Sequence, residues 1–212
     1  MLFEKNTSFL MVGDSITDCG RDRATPDKLA CLGDGYVQLF AARFQAEHPE
    51  YNLRVINKGV SADTTRELKA RWQQDVLDDD TADYLSVMIG INDVMHQFDR
   101  PYLPQSHVGV EEYSRNLNEL IASAQNKFKK IILLTPHYLE PNHSDPLRRE
   151  IALYQSAMHA IAVQYGCLFV DTQQAFDLVL AHQYPAWMAW DRVHPNLIGH
   201  FIIMEALWKA VH

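Results

Sequence analysis

The order of apolar and polar positions divides the chain into short apolar runs and longer stretches with a helical period. Five of the runs are almost entirely apolar, as strands buried on both faces require. They are SFLMV at 8–12, LRVIN at 53–57, YLSVMI at 84–89, KIILLT at 130–135 and CLFVD at 167–171. Strands that alternate with helices indicate βαβ units. The pattern therefore predicts an α/β fold with a mostly parallel sheet.

The longer stretches predict the helices between these strands. Residues 35–46 carry apolar side chains at helical spacing, and residues 65–77 place three large apolar side chains on one face. Thr64 and Glu67 have the spacing of a capping box, which favours the start of a helix at this point. Further helices are predicted at 110–125, 147–165 and 196–210.

The connections after the first, third and fourth predicted strands are long and are predicted to be irregular. They comprise residues 13–34, 90–109 and 136–146. In an open parallel sheet the ligand crevice lies outside the carboxyl ends of the strands, where these connections begin. No repeat, low-complexity tract or Pro/Gly/Ser linker divides the chain, so residues 1–212 are predicted to form a single domain.

Composition narrows the class of partner. Of the 212 residues, 47% are hydrophobic and 10% aromatic, and the formal net charge is −8, which is typical of a globular protein. An acidic chain without clusters of Lys and Arg is not expected to bind nucleic acid or an anionic membrane. In addition, no apolar stretch approaches the roughly 20 residues that span a bilayer. The expected partner is a small-molecule or oligosaccharide substrate.

Cysteine and histidine spacing bears on compartment and cofactor. Cys19, Cys31 and Cys167 are widely separated and form neither a disulfide framework nor a metal-binding CxxC pair. The first residues, MLFEKNTSFLMVG, lack the long apolar core of a signal peptide. We therefore expect a cytoplasmic location. Because no histidines have the spacing of a zinc site, neither a metal nor another cofactor is expected.

Residues of different chemistry follow the predicted strands and precede the last predicted helix. Ser15 follows the first strand, Gly59 the second and Asn92 the third, whereas Asp191 and His194 stand just before the last helix. Because the carboxyl ends of parallel strands meet at one edge of a sheet, these residues are expected to share a crevice. They supply a hydroxyl, a backbone amide, a side-chain amide, a carboxylate and an imidazole.

Acyl transfer requires such a set. A serine hydroxyl is a weak nucleophile until a base takes its proton, and an imidazole oriented by a carboxylate does this best. The hypothesis is that Ser15 is the nucleophile, His194 the base and Asp191 its partner. The N–H groups of Ser15 and Gly59 and the Asn92 amide are the predicted oxyanion donors. Glycine at 59 is expected to let substrate reach that amide.

Each of these residues alone has a simpler interpretation. Ser15, Gly59 and Asn92 are of types that are common in turns and helix caps. An Asp/His pair can also bind a metal, so only the combination favours catalysis. Asp14 and Asp18, beside the serine, are interpreted as structural residues of its turn.

Four sequence blocks give the chain a resemblance to a known family. GDSITD contains Ser15, NKGVS contains Gly59, GIND contains Asn92, and DRVHP contains Asp191 and His194. In this order and spacing the blocks resemble those of the GDSL, or SGNH, esterases and lipases, over nearly the whole chain. Segments such as GDSITDCG, MIGINDV, DPLRR and AWDRVHP look most like the bacterial acetylxylan esterase branch.

The resemblance implies a fold and an activity. The implied fold is the SGNH hydrolase fold, a three-layer α/β/α sandwich whose five parallel strands have the flavodoxin-like order 2-1-3-4-5. The implied activity is removal of short acyl groups, above all acetyl, from carbohydrates such as xylo-oligosaccharides through an acyl-serine intermediate. Two alternatives stay open. One is a lipase, lysophospholipase or thioesterase for longer acyl chains, and the other is a non-catalytic carbohydrate-binding module on the same fold.

Features close to the blocks bear on substrate and assembly. Trp190 precedes Asp191, and its flat ring suits a sugar, as do the rings of Tyr184 and Trp187, although aromatic residues also occur in cores and interfaces. Trp190 is the predicted substrate-binding residue. Many family members have an S-G-x-T pattern where this chain has SADTT, so Ala62 is expected either to narrow the crevice or to change the loop. Members are often oligomeric, and a homo-oligomer is a further expectation.

Overall fold

Five parallel strands form the centre of the computed structural model, which describes residues 1–24 and 29–212. The strands are β1 (Ser8–Gly13), β2 (Arg54–Gly59), β3 (Tyr84–Met88), β4 (Lys130–Leu134) and β5 (Leu168–Val170). Their order across the sheet is β2-β1-β3-β4-β5, and every neighbouring pair is parallel. The predicted strand order is therefore confirmed, and so are the five predicted strands, with small differences at their ends.

Helices connect the strands along the described parts of the chain. They are α1 (Ser15–Asp18), α2 (Tyr36–Glu47), α3 (Thr65–Trp72), α4 (Ile91–Asp99), α5 (Val110–Ala124), α6 (Pro146–Tyr165), α7 (Thr172–Leu180) and α8 (Leu197–Val211). Helix α3 continues through a π-helical turn, Gln73–Leu77, so it spans the predicted range. None of the described helices is both long enough and apolar enough to cross a membrane.

The helices form two layers with the sheet between them. One layer contains α2, α8 and α7, because α8 packs against both of the others. The second layer contains α3, α5, α6 and α4, in which α5 contacts α3 and α6, and α6 contacts α4. Since apolar side chains come from both layers, every residue of β3 is buried. This is the predicted three-layer α/β/α sandwich.

The carboxyl ends of three strands lie at the same level of the sheet. Gly13, the last residue of β1, pairs with Gly59 of β2 and with Met88 of β3. A Cβ on Gly13 would lie 2.3 Å from both the Met88 carbonyl oxygen and Thr17 Oγ1, so glycine is required for this close approach. The residues that follow the three strands therefore enter the same edge of the sheet.

Besides the four-residue α1, which falls within the predicted loop 13–34, two helices lie outside the predicted ones. Helix α4 falls within residues 90–109, for which the sequence predicts a loop, and it begins directly after Gly90, whose φ is +127°. Helix α7 follows β5, and Asp171, predicted as the last residue of that strand, instead caps α7 by accepting the Gln174 N–H at 2.8 Å. Both helices have nine residues, too few for a clear apolar period. Of the predicted loop 13–34, residues 25–28 lie outside the described residues.

The start of α3 follows from local sequence. The Arg66 N–H donates to Thr64 Oγ1 at 3.1 Å, and the Thr64 N–H donates to Glu67 Oε2 at 2.9 Å. This is the predicted capping box, which satisfies two backbone donors that a helix start leaves unpaired. It fixes where α3 begins and thus how much chain remains for the loop between β2 and α3.

Candidate active site

Ser15 is the first residue of α1, and Asp14 joins it to the end of β1. Asp14 is the N-cap, and its Oδ1 accepts the Ile16 N–H at 3.0 Å. Burial raises the pKa of the Asp14 carboxyl to about 7, although the bond from Ile16 opposes this. Asp14 thus has the turn-bracing contact that a structural role predicts. Because Ser15 opens the helix, its own N–H has no acceptor within α1 and can bind a ligand.

Ser15, His194 and Asp191 form one chain of hydrogen bonds. Ser15 Oγ lies 2.9 Å from His194 Nε2, and His194 Nδ1 lies 2.6 Å from Asp191 Oδ2. Burial raises the pKa of Asp191, but hydrogen bonds from the His194 ring and from two backbone N–H groups outweigh it, so the pKa falls below its ordinary value. The ionised carboxylate accepts Nδ1–H, which leaves Nε2 of the neutral ring to accept the Ser15 hydroxyl proton.

The turn that carries the acid and the base is held largely by its own atoms. Asp191 Oδ1 accepts the N–H of Val193 at 2.9 Å and that of His194 at 2.8 Å. Between them, Arg192 has a φ of +65°, in the left-handed region that residues with a Cβ rarely adopt. The Arg192 carbonyl accepts the Leu139 N–H at 2.9 Å. These bonds fix the imidazole against Ser15.

Asn92 lies in the first turn of α4 and contacts the loop that follows β2. Its Nδ2 donates to the Asp63 carbonyl oxygen at 2.9 Å, which uses one amide hydrogen and leaves the second for a ligand. The next residue, Asp93, is fully buried and accepts the Thr65 N–H at 3.1 Å and the Thr65 hydroxyl at 2.5 Å. Two adjacent residues of α4 therefore hold the chain just before and at the start of α3.

The structure contradicts the prediction that Gly59 donates to an oxyanion. The Gly59 N–H already donates to Asn57 Oδ1 at 2.8 Å, and the residue is buried. A Cβ at this position would lie 2.2 Å from the backbone nitrogen of Asp18. Glycine is therefore required here for the close packing of α1 on the end of β2, and not for access of substrate.

Ala62, three residues further on, has the properties that the prediction gave to Gly59. It is exposed, its φ is +69°, and its N–H has no acceptor among the residues that the structure describes. The next residue is Asp63, whose carbonyl binds Asn92. A φ of this sign favours glycine, the residue of the S-G-x-T pattern. The departure of SADTT from that pattern was the signal that could have identified this loop.

Trp190 lies beside Asp191 in sequence but does not line an enclosed pocket. Its side chain is 89% exposed, and Trp187 and Tyr184 of the same segment are 66% and 68% exposed. The structure thus places three aromatic rings on an open surface of the segment that leads to the Asp191–His194 turn. A role of Trp190 in binding substrate stays a prediction.

The acid and the base also lie at the surface. The side chains of His194 and Asp191 are 55% and 50% exposed. A cavity of about 540 Å³ between α7 and α8 and one of about 820 Å³ beside α2 are lined by none of the site residues. Within residues 1–24 and 29–212, no three His, Cys, Asp or Glu side chains are arranged to hold a metal ion. The site offers a nucleophile, a base and N–H donors to a molecule that approaches from solvent.

Ser15 is hydrogen-bonded to the His194/Asp191 pair and has N–H donors beside it at the carboxyl edge of a parallel sheet. This combination defines a serine hydrolase of the α/β class. Residues 11–202 match the family model of the GDSL-like Lipase/Acylhydrolase family. The chain belongs to this family and is a carboxylic ester hydrolase.

Several relatives resemble the chain over nearly its whole length. An acetylxylan esterase from Geobacillus stearothermophilus is 46% identical over 203 residues, which cover 95% of this chain and 92% of the relative. A crystal structure of an acetylxylan esterase from that organism has a TM-score of 0.97 at 44% identity and covers 100% of this chain and 96% of that one.

A second solved structure, LAE5, is an α/β hydrolase from the metagenome of Lake Arreo, Spain. It has a TM-score of 0.97 at 45% identity and covers 100% of this chain and 97% of its own. Three further structures are described as catalytic mutants of the Geobacillus esterase, with the substitutions S15A, D191A and H194A.

Proposed function

We propose that this chain removes acetyl groups from xylo-oligosaccharides through an acyl-enzyme on Ser15. The observation that carries the proposal is the continuous path from Ser15 Oγ through His194 to Asp191, with bonds of 2.9 and 2.6 Å. The catalytic mutants of the Geobacillus esterase support the roles of the three residues. That enzyme is an acetylxylan esterase, which favours acetylated xylose units as substrate.

The reaction begins when Ser15 Oγ attacks the carbonyl carbon of the ester. His194 Nε2 takes the hydroxyl proton, and the ionised Asp191 stabilises the resulting imidazolium through Nδ1. Collapse of the tetrahedral intermediate breaks the bond to the sugar oxygen, which takes the proton from His194. A water then attacks the acyl-serine with the same base, and acetate and the Ser15 hydroxyl are released.

We assign the oxyanion of the tetrahedral intermediate to three donors: the N–H groups of Ser15 and Ala62 and the second Nδ2 hydrogen of Asn92. Ala62 takes the role first given to Gly59, since the Gly59 N–H is bonded to Asn57. Charge on the carbonyl oxygen develops only as the serine attacks, so these donors act on the transition state more than on bound substrate.

The openness of the site favours a carbohydrate ester over a long acyl chain. A fatty acyl group needs an apolar slot that covers most of it, whereas the acid and the base of this site lie half exposed at the surface. The exposed rings of Tyr184, Trp187 and Trp190 suit the flat faces of sugars. Trp190→Ala is accordingly expected to raise KM for an acetylated sugar more than for a small aryl acetate, and equal effects on both would count against stacking.

Two assays test the proposed activity, with Ser15→Ala as control. One measures aryl esters from acetyl to decanoyl, and the other measures acetate released from acetylated xylo-oligosaccharides. We expect a steep fall in rate beyond propionyl, release of acetate from the oligosaccharides, and a loss of at least about 1,000-fold in Ser15→Ala.

Each other outcome of these assays has a definite meaning. Rates that rise with acyl length would indicate a lipase or thioesterase. Binding of the oligosaccharide without release of acetate would indicate a carbohydrate-binding module. Full turnover by Ser15→Ala would exclude the acyl-serine mechanism.

We also infer a cytoplasmic location and self-association. The three cysteines, Cys19, Cys31 and Cys167, are free thiols, which suits a reducing compartment. Leu178 and Phe201, on the neighbouring helices α7 and α8, are 71% and 50% exposed, and apolar surface of this kind favours contact between copies. Fractionation of the source cells tests the first inference, and light scattering of the purified protein tests the second.

A further inference from the structure

We propose that Asp18 positions the oxyanion loop, residues 60–64, against Ser15 by clamping Ser61. Asp18 Oδ2 accepts both the N–H of Ser61, at 3.1 Å, and its hydroxyl, at 2.9 Å. Asp18 is the last residue of α1, which Ser15 opens, and Ser61 directly precedes Ala62. One carboxylate oxygen therefore joins the helix of the nucleophile to the loop of the proposed donor. This inference rests on the proposed roles of Ser15 and Ala62.

Ala62 requires support from its neighbours. Its φ of +69° is unfavourable for a residue with a Cβ and persists only where the surroundings impose it. Among the described residues, no hydrogen bond to the backbone of Ala62 itself is present. On its carboxyl side, Asn92 holds the Asp63 carbonyl, and on its amino side the bonds of Ser61 go to Asp18. The direction of the Ala62 N–H is therefore set from both sides.

The clamp requires a charged acceptor. The Asp18 side chain is 5% exposed, its Oδ2 also accepts Arg23 Nη2 at 2.9 Å, and Arg21 Nε lies 3.5 Å from Oδ1. Three donors on one oxygen and two guanidinium groups nearby match an ionised carboxylate better than an amide. Burial raises the pKa of Asp18, but bonds from Arg23 and Ser61 outweigh it and lower the pKa below its ordinary value. The Asp18 carboxylate thus stays ionised at every pH at which a neutral imidazole can act as a base.

The amide variant Asp18→Asn tests the clamp because it keeps the shape of the side chain and removes its charge. We expect kcat for an aryl acetate to fall about 10- to 100-fold through misplacement of the donor, with KM within about twofold of the native value. Inactivation of Ser15 by an aryl phosphonate, which needs the same donors, should slow by a similar factor. A merely structural role would lower the melting temperature without separating kcat from KM.

Asp83→Asn is the matched control. Asp83 Oδ2 accepts the Ser8 N–H at 2.9 Å at the opposite end of β1, so this variant also weakens a bond from a backbone N–H to a carboxylate. Because Ser8 lies at the amino end of β1 and Ser15 follows its carboxyl end, the whole strand separates them, and kcat should be unchanged.

A double-mutant cycle with Ala62→Gly separates positioning from general damage. Glycine adopts a positive φ without the penalty of a Cβ, so the Ala62→Gly loop depends less on the clamp. The factor by which Asp18→Asn lowers kcat should therefore be at least about threefold smaller in the Ala62→Gly background than in the native one.

The outcomes distinguish the clamp from the proposed function. A native kcat in Asp18→Asn, a loss confined to KM, or equal factors in the two backgrounds would overturn the clamp, while Ser15→Ala independently reports on the acyl-serine mechanism. If Asp18→Asn does not fold, Ser61→Ala removes only the hydroxyl bond. It should lower kcat about two- to fivefold, and an unchanged kcat in that variant would overturn the clamp as well.

Discussion

Two left-handed residues that are not glycine lie in the turns that carry the site, and the turns are held in different ways. Arg192, with a φ of +65°, lies in a turn whose main bonds are donated to Asp191 by backbone N–H groups two and three residues away. Ala62, with a φ of +69°, lies in a loop that is closed locally by the Asp63 N–H donating to the Val60 carbonyl at 3.3 Å and is otherwise held by side chains distant in sequence. The bond from Ser61 to Asp18 spans 43 residues and the one from Asn92 to Asp63 spans 29.

The difference shows how two kinds of catalytic group are supported. The acid and the base stay in place although they are half exposed, since bonds within the turn do not need cover from the rest of the protein. The oxyanion loop instead runs into buried residues, with Asp63 5% and Thr64 3% exposed, and depends on α1 and α4. Changes to remote residues should therefore affect the oxyanion loop more than the Asp191–His194 turn.

The largest loss of kcat is expected when the carboxylate that holds the Asp191–His194 turn is replaced. In Asp191→Asn the amide stabilises the imidazolium poorly and favours the wrong tautomer of His194, so kcat should fall by about 1,000- to 10,000-fold. Steady-state kinetics on an aryl acetate measures this. Asp171→Asn is the matched control, because the Asp171 side chain also accepts a backbone N–H, that of Gln174, but does so at α7, and its kcat should be native. A loss below about tenfold in Asp191→Asn would contradict the proposed role.

On the oxyanion side, Asn92→Ala removes a proposed donor and the bond to Asp63 together. We expect kcat to fall about 100- to 1,000-fold with little change in KM. Asn116→Ala is the control, since the buried Asn116 also donates to this region, to Thr65 Oγ1 at 3.2 Å, without reaching the site. It should cost about 1 kcal/mol of unfolding free energy and leave kcat within a few-fold. Equal losses of kcat in both variants would show that Asn92 acts only through stability.

The same contrast explains how much the sequence could predict. The Asp191–His194 turn is contained in a few consecutive residues, so its bonds followed from spacing, as did the strands from their apolar runs. Gly59 was mistaken for a donor because its actual constraint, packing 2.2 Å from the Asp18 backbone, comes from a distant segment. The bonds that tie the loop of Ala62 to Asp18 and Asn92 are likewise tertiary contacts. Such contacts leave no periodic pattern in the chain.

Buried groups beside the two turns respond to pH in opposite directions. Burial lowers the pKa of His137, two residues before the Leu139 that binds the Arg192 carbonyl, to about 3. The contribution of neutral His137 to folding stability is therefore complete at pH values above its ordinary pKa of 6.5, and it is lost as the pH falls towards 3. Burial raises the pKa of Asp93 from 3.8 to about 7, against bonds from Thr65. The contribution of protonated Asp93 to folding stability is complete at pH values below its ordinary pKa of 3.8, and it is lost as the pH rises through 7.

We therefore expect two variants to differ from the native chain in opposite ways. For His137→Gln we compare the unfolding free energy of the variant with that of the native chain. As the pH is lowered from 7 to about 4.5, the variant should gain on the order of 2 kcal/mol over the native chain. The reason is that His137 stays neutral in the folded native chain but takes up a proton in the unfolded one. For Asp93→Asn the unfolding free energy relative to the native chain should instead rise as the pH is raised from about 4.5 to 7, because Asp93 stays protonated in the folded native chain but loses its proton in the unfolded one. Urea unfolding at several pH values measures both. Differences that do not vary with pH would show that these groups titrate as in the unfolded chain.

The smallest effect is expected from removing remote support of the local turn. The Arg192 side chain, 45% exposed, pairs with Glu140, whose side chain is 11% exposed, and an ion pair with one partner largely in solvent is expected to contribute on the order of 1 kcal/mol. Glu140→Gln should therefore change kcat less than about threefold, since Asp191 still holds the turn through its own bonds. The variant makes the same change from acid to amide as Asp18→Asn, but at a residue that contacts the Asp191–His194 turn. A comparable loss of kcat in both would mean that the two turns are supported alike, and the distinction between local and remote support would fail.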